Sequence, residues 1–127
     1  MISYLDTNVI YRLTTGGASE LISERARQQM ENTDLLVSAM VLLELEMLYE
    51  IGKLRVGAKY LAAEFAEKIG LKVCDLPMSI IIASSLSIKW TREPADRLIV
   101  ANAIANNEAP LISSDRSILA HYANTIW

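Results

Sequence analysis

The chain has 127 residues, 52% hydrophobic and 21% charged, with a formal net charge of −3. That length holds one domain with a real core, spanning 1–127, and is too short for two; the composition is that of a folded globular protein. One cysteine excludes an internal disulfide framework and a zinc cluster, and an acidic chain is no general coat for nucleic acid, although an enzyme acting on nucleic acid stays open because bound divalent cations alter the local balance.

In chain order, Ile2 to Leu5 is a short strand-prone run that stops at Asp6. Thr7, Asn8, Val9, Ile10, Tyr11 and Leu13 open a helix, which Gly16-Gly17 breaks. Ser19 is the expected N-cap of a polar surface helix reaching about Met30. Asn32-Thr33-Asp34 reads as a turn and 35–37 as a buried strand. A strongly apolar helix is predicted over 39–51, ended by Gly52, and a second over 58–69, ended by Gly70. Residues 71–74 form a third strand, in which Cys74 is expected as a buried, inert thiol. Pro77 suits the first turn of a helix to about Ile88. Asp96 opens a helix to about Asn106, 109–112 is a fourth strand, Asp115 opens a short helix, and 125–127 is a fifth, edge strand. Strands alternating with helices imply an α/β fold with a mostly parallel sheet of four to five strands, flanked by helices. No apolar run approaches a membrane span, and no basic region precedes an apolar one at the N-terminus, so a cytoplasmic protein without membrane partners is expected.

The acids carry the chemistry. Asp6, Asp96 and Asp115 each stand at the start of a predicted helix, and Asp6 and Asp115 closely follow strands. In an open parallel sheet, ligands bind outside the carboxyl ends of the strands. For any one of these aspartates taken alone, capping is the stronger explanation, because Asp is a favoured N-cap and complements the helix dipole. Glu44 cannot be a cap. It lies in mid-helix, one turn from Met40, Val41, Met47 and Leu48, whereas Glu46 shares a solvated stripe with Glu50 and Lys53. A carboxylate on an apolar face needs a partner: either a lysine or arginine, or a divalent cation shared with the aspartates. All-oxygen ligation suits Mg²⁺ or Mn²⁺ rather than zinc or copper.

Asp6-Thr7-Asn8 after the first strand, Ser38 with Glu44 six residues on, the segment from Arg92-Glu93-Pro94-Ala95-Asp96-Arg97 to Ala101, and Pro110-Leu111-Ile112-Ser113-Ser114-Asp115 resemble the PIN-domain ribonucleases. More narrowly, they resemble the VapC-type toxins of type II toxin–antitoxin pairs, over essentially the whole chain. The resemblance implies a PIN-like three-layer fold and a metal-dependent endoribonuclease. In it Asp6, Glu44, Asp96 and Asp115 are the catalytic, Mg²⁺- or Mn²⁺-binding acids. It also implies a cognate antitoxin and a homodimer. Ser113 falls where the family usually has a small hydroxyl residue. Glu93 departs from the Asp that many relatives carry before the proline, and is read as peripheral.

The chemistry stands beside the resemblance. Carboxylate-held metal activates water and neutralises charge on a phosphodiester, so no histidine base is needed, and His121, near the chain's end, is read as non-catalytic. Arg12, Arg97 and Arg116 are cations for an RNA phosphate or partners of neighbouring acids; Arg97 is read as the latter. Thr7 and Asn8 either orient Asp6 or satisfy the first helical turn. Two other classes remain: an aspartyl-phosphate receiver or phosphatase-like domain, against which stand Asn8 and the lack of any lysine after Lys89, and a non-catalytic interaction module. Leu42, Leu43, Leu45 and Leu54 are expected to form an exposed apolar patch for dimerisation.

Overall fold

In the computed structural model, which describes residues 1–15 and 21–127, a first strand β1 (Ile2–Leu5) leads directly into α1 (Thr7–Leu13). There follow α2 (Glu24–Asn32), β2 (Asp34–Val37), α3 (Ala39–Glu50), α4 (Ala58–Ile69), β3 (Lys72–Val73) and α5 (Met78–Ser85). The chain then runs through α6 (Pro94–Ala105), β4 (Leu111–Ile112), α7 (Arg116–His121) and β5 (Thr125–Ile126). Among the described residues these strands form one five-stranded sheet in the order β3-β2-β1-β4-β5, parallel at every pairing. The expected mostly parallel sheet is thus wholly parallel. Its central strands are mostly apolar because both faces are covered: Tyr4, Leu5, Leu111 and Ile112 are all fully buried.

The strand order sets the site. From β1 the chain moves outward through β2 to β3, then returns to β4 on the other side of β1. The connections diverge between β1 and β4, and an open parallel sheet leaves a crevice at such a point, outside the carboxyl ends of the strands. Register aligns Tyr4 with Leu111 and Leu5 with Ile112, and the Asp6 amide donates to the Ile112 carbonyl at 3.0 Å. Whatever follows β1 and β4 therefore emerges side by side.

Local chemistry explains most element ends. Ser38 Oγ accepts from the Met40 amide at the start of α3. Gly52 (φ 84°) and Gly70 (φ 69°) take the left-handed conformation just past α3 and α4, which glycine adopts without a Cβ clash. Several expectations are corrected. The polar helix starts at Glu24, with Ser23 Oγ accepting from the Ala26 amide at 3.1 Å; Ser19, expected as its cap, and Gly16-Gly17 lie outside the described residues. Asn32 ends α2 and Asp34 begins β2, which leaves Thr33 alone between them. The helix after Pro77 stops at Ser85 rather than Ile88, where the Ser85 hydroxyl donates back to the Ile82 carbonyl.

Two core expectations also change. Cys74 is half-buried and sits in a polar cluster: Tyr4 Oη donates to its Sγ at 3.1 Å, while Tyr4 Oη accepts from Asn102 Nδ2 at 3.0 Å and Asn106 Nδ2 at 2.8 Å. Burial, first among the causes, pushes the Tyr4 hydroxyl well above its ordinary pKa. Of the four leucines expected on the surface, Leu45 and Leu54 belong to the core and Leu42 is half-buried, while Leu43 is exposed. The helix α3 packs against α1, α4 and α6, so more of its circumference is covered than one sheet face would hide. Met47 beside Leu43, and Met78, Ile80 and Leu86 around α5, are among the exposed large apolar residues there. No helix among the described residues is long and apolar enough to cross a membrane.

Candidate metal centre

Asp6 leaves the end of β1 and caps α1, yet it is only 5% exposed. Its Oδ1 accepts from the Thr7 amide at 2.8 Å and its Oδ2 from Ser113 Oγ at 2.6 Å. Ser113 directly follows β4 and is fully buried. The same hydroxyl accepts from the Asp115 amide at 3.1 Å, so one serine fastens two acid-bearing segments. Thr7 does the equivalent on the other side: its hydroxyl donates to Glu44 Oε1 at 2.5 Å, tying α1 to the middle of α3. Asp115 caps α7, its Oδ1 accepting from the Ile118 amide at 3.0 Å.

Asp96 is not a cap. Pro94 occupies the first turn of α6 and the cap position is Glu93, which makes no side-chain capping bond. Among the described residues no side-chain hydrogen bond reaches the Asp96 carboxylate. Of the three aspartates, the capping explanation accounts for Asp115 and partly for Asp6, and fails for Asp96.

All four acids line one pocket of about 330 Å³, together with Thr7, Asn8, Tyr11, Leu48 and Lys53. Larger cavities lie elsewhere: a groove of about 720 Å³ between α4 and the segment after α3, and an apolar one of about 490 Å³ beside α2. Burial raises the pKa of Asp6 to about 6, against the lowering donations from Ser113 and the Thr7 amide; the Glu44 and Asp115 charges add to the rise. Burial likewise raises Asp96 to about 6, helped by Asp115, Asp6 and Glu93. Glu44 is raised by burial, opposed by the Thr7 hydroxyl and reinforced by Asp96 and Glu93. Glu93, exposed on the rim, thus adds negative charge to two of the acids.

The donors are all hard oxygens, and Asn8 Oδ1 is buried without a hydrogen-bond partner among the described residues; this set fits Mg²⁺ or Mn²⁺. The carboxylates surround the pocket rather than a point: among the described residues no three His, Cys, Asp or Glu side chains stand close enough to hold one ion between them. Like charges disfavour one another's ionised form, and staggered rotamers let such side chains stand apart. The fit is therefore one of donor chemistry and common pocket.

The PIN domain profile matches residues 3–124. The chain belongs to the PIN domain family. PIN domains are generally nucleases, acting as hydrolases on nucleic acid. This PIN domain is similar in structure to VapBC2 from Rickettsia felis, seen bound to a DNA fragment from its promoter: TM-score 0.63, 19% identity, covering 98% of this chain and 96% of that one. At that identity the likeness is one of fold. No curated protein matches the chain in sequence.

The remaining polar residues of this PIN domain divide clearly. Thr7 and Asn8 line the pocket; Asn8 Nδ2 stands 3.4 Å from Asp6 Oδ2, a long contact. The arginines do not line it. Arg12 donates to the Leu21 carbonyl at 2.8 Å and lies 5.1 Å from the centre of the Trp127 ring. Arg97 donates to the Ser85 carbonyl at 2.9 Å, joining α5 to α6 rather than pairing with an acid. Arg116 is exposed at the start of α7. His121 is exposed and stacks on Trp90, ring centres 4.8 Å apart. Lys53 and Tyr11 are pocket residues that sequence reasoning missed. Tyr11 lies one helical turn after Asp6-Thr7-Asn8 and was findable by spacing; Lys53 reaches the pocket only because the chain reverses at Gly52.

Proposed function

We propose that this PIN domain is an Mg²⁺- or Mn²⁺-dependent endoribonuclease and the toxin of a toxin–antitoxin pair, with Asp6, Glu44, Asp96 and Asp115 as its metal-binding, catalytic acids. The observation that carries the reading is the convergence of four carboxylates, from four separate segments, on one pocket at the crevice between β1 and β4. Two of them are pushed to about 6 by burial and one another, a crowding that a cation relieves. When bound, the ion supplies positive charge against the phosphodiester and activates water. The chain's own residues do the positioning. Thr7 aims Glu44, Ser113 holds Asp6 and the backbone of Asp115, and Leu48 supplies an apolar wall. Asp115 keeps Oδ2 for direct or water-mediated contact, since its Oδ1 caps α7.

The VapBC2 likeness supports a protein antitoxin as partner. An arginine from that partner, forking onto two carboxylates, would compete with the cation. The exposed Leu43 and Met47 on α3, with the apolar surface of α5, support a homodimer, and the working compartment is the cytoplasm.

The test is cleavage of end-labelled cellular RNA by the purified chain. Mg²⁺ or Mn²⁺ supports cleavage, and excess chelator stops it. Asp6→Asn, Glu44→Gln and Asp96→Asn each abolish it with the circular dichroism spectrum retained, and Asp115→Asn lowers it. Undiminished cleavage in chelator, or by Asp6→Asn, overturns the reading.

A further inference from the structure

Lys53 lines two cavities at once. One is the acidic pocket; the other is the groove of about 720 Å³ walled by Arg55, Tyr60, Phe65 and Lys68 among others. The reversal that puts it there is local: Gly52 adopts φ 84° and the Lys53 amide returns to the Leu48 carbonyl at 2.9 Å.

The groove's charge runs against that of the chain. The protein carries −3 overall, yet the groove presents Lys53, Arg55 and Lys68 against one carboxylate, Glu64. Glu64 is already held by Lys68 at 2.6 Å. Lys53 and Arg55 are left exposed, without an ion pair among the described residues. Tyr60 stands on the same wall with 61% of its surface in solvent. The hydroxyls of Thr14 and Thr15, also on the wall, donate to the Tyr11 and Arg12 carbonyls and so offer no donor proton to a ligand. The groove's free offering is therefore two cations and an aromatic face.

We propose that this groove carries the single-stranded RNA beside the scissile phosphate, with Lys53 and Arg55 on successive backbone phosphates and Tyr60 stacked on a base. The assignment rests on the ribonuclease reading above. A polyanion approaching four carboxylates is repelled, and flanking cations are what hold it in place. Lys53, shared by both cavities, is the point where the strand passes from groove to acids. An aromatic face beside a cationic track is the pairing that binds single strands with little sequence preference.

The experiment measures binding of a short fluorescein-labelled oligouridylate to the full chain carrying Asp6→Asn, in Mg²⁺, by fluorescence anisotropy over a range of salt. On that background Lys53→Ala and Arg55→Ala each weaken binding several-fold and each reduce the slope of log affinity against log salt by about 0.7, one phosphate contact on a single strand. Tyr60→Ala weakens binding about tenfold with the slope retained, and Tyr60→Phe restores it, as stacking requires. Lys59→Ala, an exposed cation on α4 outside the groove lining, changes neither quantity. The proposal is overturned if Lys53→Ala and Arg55→Ala behave as Lys59→Ala does, or if no variant binds RNA. It is equally overturned if the groove variants keep RNA affinity and lose a co-expressed partner protein, which gives the groove to a peptide. The parent chain's cleavage assay separates the two readings. Cleavage with unaltered binding by the groove variants removes this assignment alone; binding that responds as stated, without cleavage by the parent, removes the ribonuclease reading and with it the scissile phosphate, leaving the groove only as a single-strand track.

Discussion

Replacing Asp6 by asparagine should stabilise the metal-free protein at neutral pH. Asp6 is 5% exposed and its pKa is raised from 3.8 to about 6. A carboxyl whose folded pKa lies above its unfolded one binds the proton more tightly when folded. Between about pH 4 and pH 6 the folded state holds a proton that the unfolded state has lost, so stability falls as pH rises through that window. Above it the folded protein bears the whole penalty, roughly 3 kcal/mol for about two pKa units at 1.36 kcal/mol each. Asparagine removes the charge and offers one acceptor in place of two, so either the Ser113 hydroxyl or the Thr7 amide loses its partner, at a cost of about 1 kcal/mol. The net gain is about 1–2 kcal/mol, and at about 4 °C per kcal/mol for a chain of this size the melting temperature rises by roughly 4–8 °C. The assay is thermal unfolding by circular dichroism in excess chelator at pH 7.5 and again near pH 4. The advantage should be present at the first and gone at the second. A variant less stable than the parent at pH 7.5, or a difference that ignores pH, refutes the account of Asp6 as a crowded, buried charge.

Other outcomes follow from single contacts. Ser113→Ala leaves the buried Asp6 Oδ2 without its short donor and frees the Asp115 amide; it should destabilise by about 1–3 kcal/mol in urea titrations and lower RNA cleavage. Mg²⁺ should raise the melting temperature of the parent and leave that of Asp6→Asn nearly unmoved, since a ligand stabilises only the state that binds it. Tyr4→Phe deprives Asn106 Nδ2 of its acceptor and Asn102 Nδ2 of one of two, Cys74 Sγ remaining; a loss of about 1–3 kcal/mol is expected, with cleavage unaffected once the protein is folded.

The α/β class and a mostly parallel sheet were readable because apolar runs alternate with helical spacing; that every pairing is parallel came from the structure. The four acids were readable as a set because Glu44 violates the apolar pattern of its helix. What failed was set by tertiary partners. Periodicity in a helix that is apolar nearly all round cannot say which leucines meet a neighbour, and Leu45 proved to be core, as did Leu54 in the segment after that helix. Arg12 is taken by the Leu21 carbonyl and the Trp127 ring, the latter at the far end of the chain. Strands came out shorter than their apolar runs: Leu71 is buried yet outside β3, and Pro110, with no amide proton to donate, still accepts from the Tyr4 amide through its carbonyl. Lys53 could not be placed without the turn at Gly52.

The bond from Ser113 to Asp6 spans 107 positions of sequence, and this gives the pocket a schedule. On the ribosome, β1 emerges before its partner β4, with β2, β3 and the helices between them made in the interval. Pairing of parallel strands waits for the whole crossover between them. Until residue 113 is out, Asp6 has no serine to hold it and Asp115 does not exist. A partly made chain, or one cut short before β4, therefore lacks the assembled acidic pocket, and the step that completes the sheet is the same step that completes the site.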